Sequence, residues 1–226
     1  MIIRIGLENG IEGRSLAWPL DFPGCFAYGE DGPTALMNIP RALINHEAWI
    51  RKHTSRPWVD LGDFDIRLIE TWQVFDIQEG HAVYSWFQDD IRSLAGNEIQ
   101  HGLEMLRWNR ADLLEVVSSL DPAGLDRCYP GERWSIRGIL AHIAAAERWY
   151  LDWLGLVGEP QRELPEDCLE ALADTRSRLM AALPRLAGVI QVVEKDGETF
   201  SPRKLLRRAL WHERDHILHI YKLLLS

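Results

Sequence analysis

The second half of the chain, from about Asn97 onward, carries apolar residues at every third or fourth position. This spacing places them along one side of an α-helix, so it predicts amphipathic helices that pack against each other. Four helices of about twenty residues predict an all-α four-helix bundle. The pattern falls into four segments, which run from Asn97 to Asp121, from Ser135 to a break at Gly158–Pro160, from Pro165 to Gly188, and from Ser201 to Leu225.

The first part of the chain has a different pattern, in which short runs of β-branched and apolar residues alternate with turn signals. Asn9-Gly10 predicts a hairpin turn, and Pro40 predicts a kink or a broken start in the helix that contains it. The order of the segments is β-β-β-α-β, which predicts a small α+β module. Strands are predicted at residues 2–7, 13–19, 22–29 and 64–75, and a helix at residues 33–52.

The stretch between these two patterns is interpreted as a connection. Trp86 and Phe87 are expected to pack it onto the helices that follow. Asp89 and Asp90 are adjacent, and neighbours along a chain rarely point into one site, so capping and solvation are favoured over acid–base chemistry. The sequence therefore predicts an α+β domain at residues 1–75, a linker at 76–96 and an all-α bundle at 97–226.

Charge and cysteine content narrow the classes of protein that fit. A formal net charge of -9 argues against a nucleic-acid-binding protein, which needs a basic surface to displace counterions. No apolar run approaches the ~20 residues of a membrane-spanning helix. The three cysteines, Cys25, Cys128 and Cys168, are far apart and show no C-x-x-C spacing. A disulfide framework is therefore not expected, and we predict a cytoplasmic protein without membrane contact.

Four basic residues lie together at the start of the last helical segment. A solvated surface, or a set of ion pairs with acidic residues, is the favoured interpretation. The alternative is a docking site for a substrate that carries a carboxylate. The four residues are Arg203, Lys204, Arg207 and Arg208.

Two histidines of the last segment, His212 and His216, are four residues apart and leave the same side of the helix. Leu205, Ala209 and Ile220 continue that side, so both imidazoles are expected to face other helices. Hydrogen-bonded core histidines are the more common explanation of such a pair. A divalent metal is the alternative, because neutral imidazole is a common ligand and this spacing can hold one ion.

His142 lies on the apolar stripe of the second helical segment, beside Ile139 and Ile143. Together with His212 and His216 it would complete a set of three imidazoles. Three protein ligands leave room for an exchangeable ligand, which is typical of a catalytic metal site rather than a structural one.

Other polar residues near these positions are assigned lesser roles. His219, one turn past the last of the three histidines, is interpreted as an ordinary helix residue, and a position behind the ligands is the alternative. Glu147 lies about a quarter-turn or more from the face of His142, so it is a weak candidate for proton transfer. Glu213 and Asp215 are expected at the surface or behind the ligands.

Two segments of the bundle resemble the signature segments of the DinB-like (DinB/YfiT) family. They are WSIRGILAHI at residues 134–143 and LLRRALWHERDH at residues 205–216. The resemblance covers about residues 97–225 and implies a four-helix bundle in which His142, His212 and His216 hold a divalent metal. Its identity is left open among Zn, Ni, Fe and Co, because nitrogen-rich sites accept several ions.

The N-terminal part resembles the HicB-like small antitoxin fold through the run DFPGCFAYGEDG at residues 21–32, which precedes the predicted helix. This resemblance implies a module that supports partner contact or dimerisation, so a homodimer is one expected assembly. The DNA-binding extension of some relatives is not visible in the sequence. Together with the acidic charge, this disfavours a toxin–antitoxin-type regulator.

The DinB resemblance implies a metal-dependent thiol-S-transferase that joins a low-molecular-weight thiol to a small electrophile. Hydrolysis at the same metal stays open. Leu218 stands where iron-dependent, sulfoxide-forming relatives carry an acidic residue, which disfavours their chemistry. The alternative is a non-catalytic, metal-stabilised stress-response module whose N-terminal domain contacts a partner.

Overall fold

A computed structural model of the chain describes residues 1–78, 81–156 and 163–225, and the predicted break at Gly158–Pro160 lies outside these residues. The strands are β1 (Ile2–Ile11), β2 (Arg14–Pro19), β3 (Ala27–Gly29), β4 (Asp65–Gln73), β5 (Phe75–Gln78), β6 (His81–Val83), β7 (Val193–Lys195) and β8 (Glu198–Phe200). The helices are α1 (Gly32–His53), α2 (Gly96–Val117), α3 (Pro122–Asp126), α4 (Ile136–Trp153), α5 (Cys168–Ala182) and α6 (Pro202–Leu225).

The chain forms two compact units, and neither is one continuous stretch. The first comprises Met1–Arg92 and Val192–Lys204, and the second comprises Ser93–Gln191 and Leu205–Ser226. This division differs from the predicted domains at 1–75, 76–96 and 97–226. Most of the predicted linker belongs to the first unit, and so do the β7–β8 hairpin and the first residues of α6.

The first unit contains a four-stranded sheet in the order β3-β2-β1-β4. β1 pairs with β2 and β2 with β3 in antiparallel fashion, whereas β4 runs parallel to β1. The predicted order β-β-β-α-β is therefore confirmed, with α1 as the crossover that a parallel pair requires. The HicB-like resemblance itself stays a prediction.

The turn between β1 and β2 lies at Glu12 and Gly13, not at Asn9-Gly10 as the sequence predicted. Glu12 and Gly13 both have positive φ, at 50° and 76°, as a two-residue hairpin turn requires. Gly10 has a φ of 85° and lies within β1, where the pairing register shifts between Asn9 and Ile11. Its freedom to adopt positive φ therefore serves a bulge instead of the turn.

Helix α1 begins after Asp31, whose carboxylate accepts a hydrogen bond from the backbone N–H of Thr34 at 2.8 Å. The helix continues through Pro40 to His53, so the predicted broken start does not occur. Proline removes one backbone donor from the helix. The completely buried side chains of Ala35 and Ile39 hold this part of the helix in the core.

Residues that were predicted as a linker are anchored in the first unit by buried polar contacts. The carboxylate of Glu8 on β1 is fully buried and accepts hydrogen bonds from Trp18 Nε1 at 2.9 Å and from Ser85 N at 2.7 Å. The ring of Phe87 lies so close to Gly6 that a Cβ there would be 2.7 Å from it. Phe87 therefore packs against the sheet of its own unit, a contact that the sequence did not predict.

The acidic pair of this stretch has structural roles. Asp89 forms an ion pair with Arg4 at 2.7 Å, and Asp90 accepts a hydrogen bond from Phe87 N at 3.0 Å. The capping role predicted for the pair is confirmed at Asp90. Both carboxylates are buried, at 6% and 1% exposure, so the predicted solvation is wrong.

The basic residues at the start of α6 are buried, so the solvated surface predicted as one interpretation is wrong. Lys204 is completely buried, and its Nζ lies 2.7 Å from the carboxylate of Glu198 on β8. Ion pairing, the other part of that interpretation, is confirmed at Lys204. Arg203, Arg207 and Arg208 are at most 5% exposed.

The second unit is the helical bundle, formed by α2, α4, α5 and α6 as the sequence predicted. The five-residue helix α3, between α2 and α4, was not predicted. No helix in residues 1–78, 81–156 and 163–225 is both long enough and apolar enough to cross a membrane. The buried cluster of this unit includes Leu113, Val116, Ile136, Ile139, Leu140, Ile143, Leu172, Ile217 and Ile220.

Replacing Gly29 with alanine should destabilise the first unit by about 2 kcal/mol or more, because well-packed sites tolerate added volume poorly. A Cβ at Gly29 would lie 2.6 Å from the backbone carbon of Thr34, and closer still to the backbone nitrogen of Ala35. Backbone atoms of α1 cannot move aside as a flexible side chain can. Urea denaturation measures the loss. Gly96→Ala is the control, since no atom lies within 4 Å of its added Cβ, and equal stability of the two variants would contradict the expected clash.

Candidate metal centre

Helix α6 carries two of the three predicted ligands. It begins at Pro202, and Ser201 Oγ accepts a hydrogen bond from Lys204 N at 3.1 Å, which confirms the predicted N-cap. His212 and His216 leave the same side of this helix one turn apart. The residues on that side before His212 and after His216 are buried, so both rings point into the bundle.

Helix α4 carries the third predicted ligand. Ser135 caps its start by accepting a hydrogen bond from Gly138 N at 3.3 Å. Ile139 and Ile143 are fully buried and lie on the same side of α4 as His142. The local sequence therefore directs His142 toward the bundle core, as predicted.

The structure brings the three imidazoles together through their Nε2 atoms. His212 Nε2 lies 3.0 Å from His142 Nε2 and 3.2 Å from His216 Nε2. All three ligand atoms lie within 4.8 Å of one another. Bonds of about 2.05 Å at a tetrahedral angle place two ligand nitrogens ~3.3 Å apart, so the first two separations suit one shared ion. Within the described residues no other group of three or more potential ligands converges in this way.

Burial keeps the imidazoles of His212 and His216 neutral by lowering the pKa of each. It lowers the pKa of His216 to about 3, and the charges of His142 and His219 contribute to the same shift. Burial also holds the pKa of His212 well below its ordinary value, with further contributions from the two neighbouring rings and from Arg208. At neutral pH these two rings carry no proton on one nitrogen, so a lone pair is available to a metal.

Aromatic side chains pack against two of the three rings. The indole of Trp134 stacks on His142 with ring centroids 4.5 Å apart, and the ring of Tyr150 meets His212 edge-on at 6.3 Å. His212 is only 8% exposed. His142 and His216 are half-buried.

His219 does not join the three converging nitrogens. Its Nε2 lies 2.9 Å from the carboxylate of Glu132, and its ring centroid lies 6.2 Å from that of His216. It is therefore a paired residue beside the centre, which is nearer to the alternative interpretation than to the favoured one of a plain helix residue.

Glu147 and Glu213 lie in the bundle interior, away from solvent. Glu147 is 2% exposed and Glu213 is 1% exposed, so of the two positions predicted for Glu213, at the surface or behind the ligands, the surface position is wrong. Both carboxylates are paired with Arg110 and Arg176. Glu147, the weak candidate for proton transfer, is thus committed to structural ion pairs.

Sequence reasoning missed the two arginines of this arrangement, although a signal was present. Arg110 lies between Leu106 and Leu113 in the apolar stripe of α2, and Arg176 lies between Leu172 and Leu179 in that of α5. A charge at a core position needs a buried partner of opposite sign. Searching the other helices for such partners would have indicated the two glutamates.

The chain was compared with known families and structures. The model of the DinB superfamily matches residues 105–220, which is more than half of the chain. YfiT from Bacillus subtilis, described as "a probable metal-dependent hydrolase with an unusual four-helix bundle topology", is similar over 62% of this chain and 91% of its own, with 20% identity and a TM-score of 0.49. No curated protein matches the chain.

The metal-free protein should lose stability as the pH falls below about 6.5, because unfolded histidine takes up a proton there and the buried ring does not. In the folded protein the pKa of His216 is lowered to about 3. The contribution of this ring to the free energy of unfolding therefore declines continuously from about pH 6.5 to about pH 3. Each such histidine contributes up to about 1.4 kcal/mol per pH unit to the slope. Urea denaturation at pH 7, 6 and 5 measures the slope of the free energy of unfolding against pH. His216→Gln should reduce the slope, and an unchanged slope would contradict the buried neutral state of this ring.

Proposed function

The chain belongs to the DinB superfamily, and we propose that its three-histidine centre binds one divalent metal ion and activates a small thiol for transfer to an electrophile. The observation that carries this proposal is the convergence of the Nε2 atoms of His142, His212 and His216. Three imidazoles whose Nε2 atoms face one point are explained by an ion that accepts all three lone pairs.

The set of donors fits a borderline divalent ion such as Zn, Ni, Fe or Co, which nitrogen ligands prefer. When bound, the ion supplies Lewis-acid activation, which lowers the pKa of a thiol or of water. The three rings are neutral ligands, so the ion keeps its full charge for this purpose. Three protein ligands leave a position for an exchangeable molecule, as in catalytic sites.

The residues around the centre favour a ligand that binds as an anion. Arg208 lies over the ring of Trp211, with its guanidinium carbon 4.3 Å from the ring centroid. Its positive charge is close enough to contribute to the lowered pKa of His212. A thiolate suits such surroundings, because its negative charge is attracted to both the metal cation and the arginine. The half-buried side at His142 and His216 provides the approach.

Hydrolysis is the second candidate reaction, since the same donors can activate water. A non-catalytic, metal-stabilised module is the third. It would show metal-dependent stability without turnover, because a ligand that binds only the folded state raises its melting temperature. The two experiments below separate the three.

Purified protein should bind one divalent ion per chain, measured by elemental analysis after dialysis. His142→Ala and His216→Ala should each weaken binding by about 100-fold or more, because each removes one of three ligands. His219→Ala is the matched control: it lies one turn further along α6 and is paired with Glu132 instead. Unchanged affinity in both ligand variants would contradict the proposed centre.

The metal-loaded protein should accelerate transfer of a small thiol to a chromogenic electrophile, and removal of the ion should abolish the gain. The assay uses a panel of low-molecular-weight thiols, with p-nitrophenyl esters as the parallel test for hydrolysis. His142→Ala should lose the activity with its fold retained, as checked by circular dichroism. Ester cleavage without thiol transfer would assign the centre to hydrolysis, and no turnover in either assay would leave the metal-stabilised module.

A further inference from the structure

Two arginines and two glutamates form a closed set of ion pairs inside the helical bundle, and each residue comes from a different helix. Arg110 lies on α2, Glu147 on α4, Arg176 on α5 and Glu213 on α6. All four are at most 8% exposed. We call this set the four-charge cluster. Its two positive and two negative charges balance.

Each carboxylate of the four-charge cluster is held from two sides. Glu213 accepts hydrogen bonds from Arg110 Nε and from Arg176 Nη2, both at 2.6 Å and on different oxygens. Glu147 accepts from Arg176 Nε at 2.9 Å, from Arg110 Nη2 at 3.3 Å and from Thr175 Oγ1 at 3.0 Å. Planar guanidinium groups make such bonds only in defined directions, so each contact restricts the rotation and the axial position of its helix.

The guanidinium groups are in turn bound to the backbone. Arg110 donates to the carbonyl of Leu172 on α5, and Arg176 donates to the carbonyl of Leu106 on α2. The cluster therefore joins side chains from all four bundle helices, and the backbone of α2 and α5, into one hydrogen-bonded unit.

Two members of the cluster stand beside the ligand histidines in the chain. Glu213 directly follows His212 on α6, and Glu147 lies five residues past His142 on α4. Helices α4 and α6, which must bring the imidazoles together, are therefore also the helices whose carboxylates form ion pairs with both arginines. A metal site needs its ligands within about 0.5 Å of the productive geometry. Packing of apolar side chains alone does not fix helix positions with this precision.

Stability alone is a poor explanation of the cluster. Transfer of two ion pairs from water to the interior is expensive, and well-packed apolar residues of similar volume are often as stabilising or more so. What a directional buried network adds to a bundle is a defined register between helices. The benefit is greatest where ligands from two helices must meet.

We propose that the four-charge cluster is the positioning element of the three-histidine centre, setting the register of α4 against α6 and hence the separation of the Nε2 atoms. Its consequence for metal binding rests on the proposed function, whereas the separation itself can be measured without metal. Glu147 and Glu213 act as positioning residues through the helices that carry them.

The experiment compares two variants of the cluster with a control. Glu213→Gln removes one charge at nearly unchanged shape. Thr175→Val is a milder variant that removes one hydroxyl, and with it the bond to Glu147 and a longer one to the carbonyl of Leu172. Leu179→Ala is the control, because Leu179 is fully buried in the core on α5 and its truncation lowers stability without removing a polar group of the cluster. All proteins are full length and are studied well below their melting temperatures.

Two readouts are taken. Crystal structures of the metal-free proteins give the Nε2 separations, which are 3.0 and 3.2 Å in the structure described here. Titration with Co²⁺ gives its Kd and the visible absorption bands that report its coordination. In Glu213→Gln we expect at least one separation to grow by about 0.5 Å or more, and the Kd to rise about tenfold with altered bands. Thr175→Val should shift both in the same direction by less, and Leu179→Ala should leave both near the wild-type values.

Wild-type separations in both cluster variants would overturn the positioning role, and so would an equal Kd increase in Leu179→Ala. Should Glu213→Gln fail to fold, the comparison of Thr175→Val with Leu179→Ala decides the question. If wild-type protein binds no Co²⁺ or other divalent ion, the proposed function fails. The metal-free separations still decide the positioning role in that case.

Discussion

The candidate site depends most on the meeting of three imidazole nitrogens, on two rings of which burial disfavours a positive charge. The same loss of water that lowers the pKa of His216 to about 3 leaves its lone pair available to a cation at neutral pH. His142 and His212 approach within 3.0 Å although their Cα atoms belong to different helices. Neutral rings at this distance need a shared proton or a shared ion, and three of them facing one point favour the ion.

The bundle interior contains two polar arrangements in succession along α4 and α6. One is the set of three histidines, which has one half-exposed side. The other is the four-charge cluster of Arg110, Glu147, Arg176 and Glu213, which is closed and balanced. Apolar packing can hold four helices together in several closely related registers, because hydrophobic contacts have no direction. Directional bonds among buried charges select one register, and a site built from two helices requires such a selection.

The fold was largely predictable where local chemistry determines it. The caps at Ser135 and Ser201 and the apolar stripes of the long helices were recognised because caps and helical periodicity are local properties. The hairpin turn was placed three residues too early, since both Gly10 and Gly13 tolerate positive φ and strand pairing decides which one turns. The linker assignment to residues 76–96 missed the hydrogen bonds of Ser85 to Glu8, which join residues 77 positions apart.

The sequence by itself determined the type of each element, the apolar faces of the bundle helices and the identity of the three histidines. These follow from periodicity, capping and resemblance, which depend only on the order of residues in the chain. Only the tertiary structure decided that the Nε2 atoms converge, that Glu213 is interior and that Arg110 and Arg176 are its partners. Helical spacing tells on which face a side chain lies, but its partner depends on how neighbouring helices are rotated and shifted. That choice is made by packing and by buried hydrogen bonds between residues far apart in the chain.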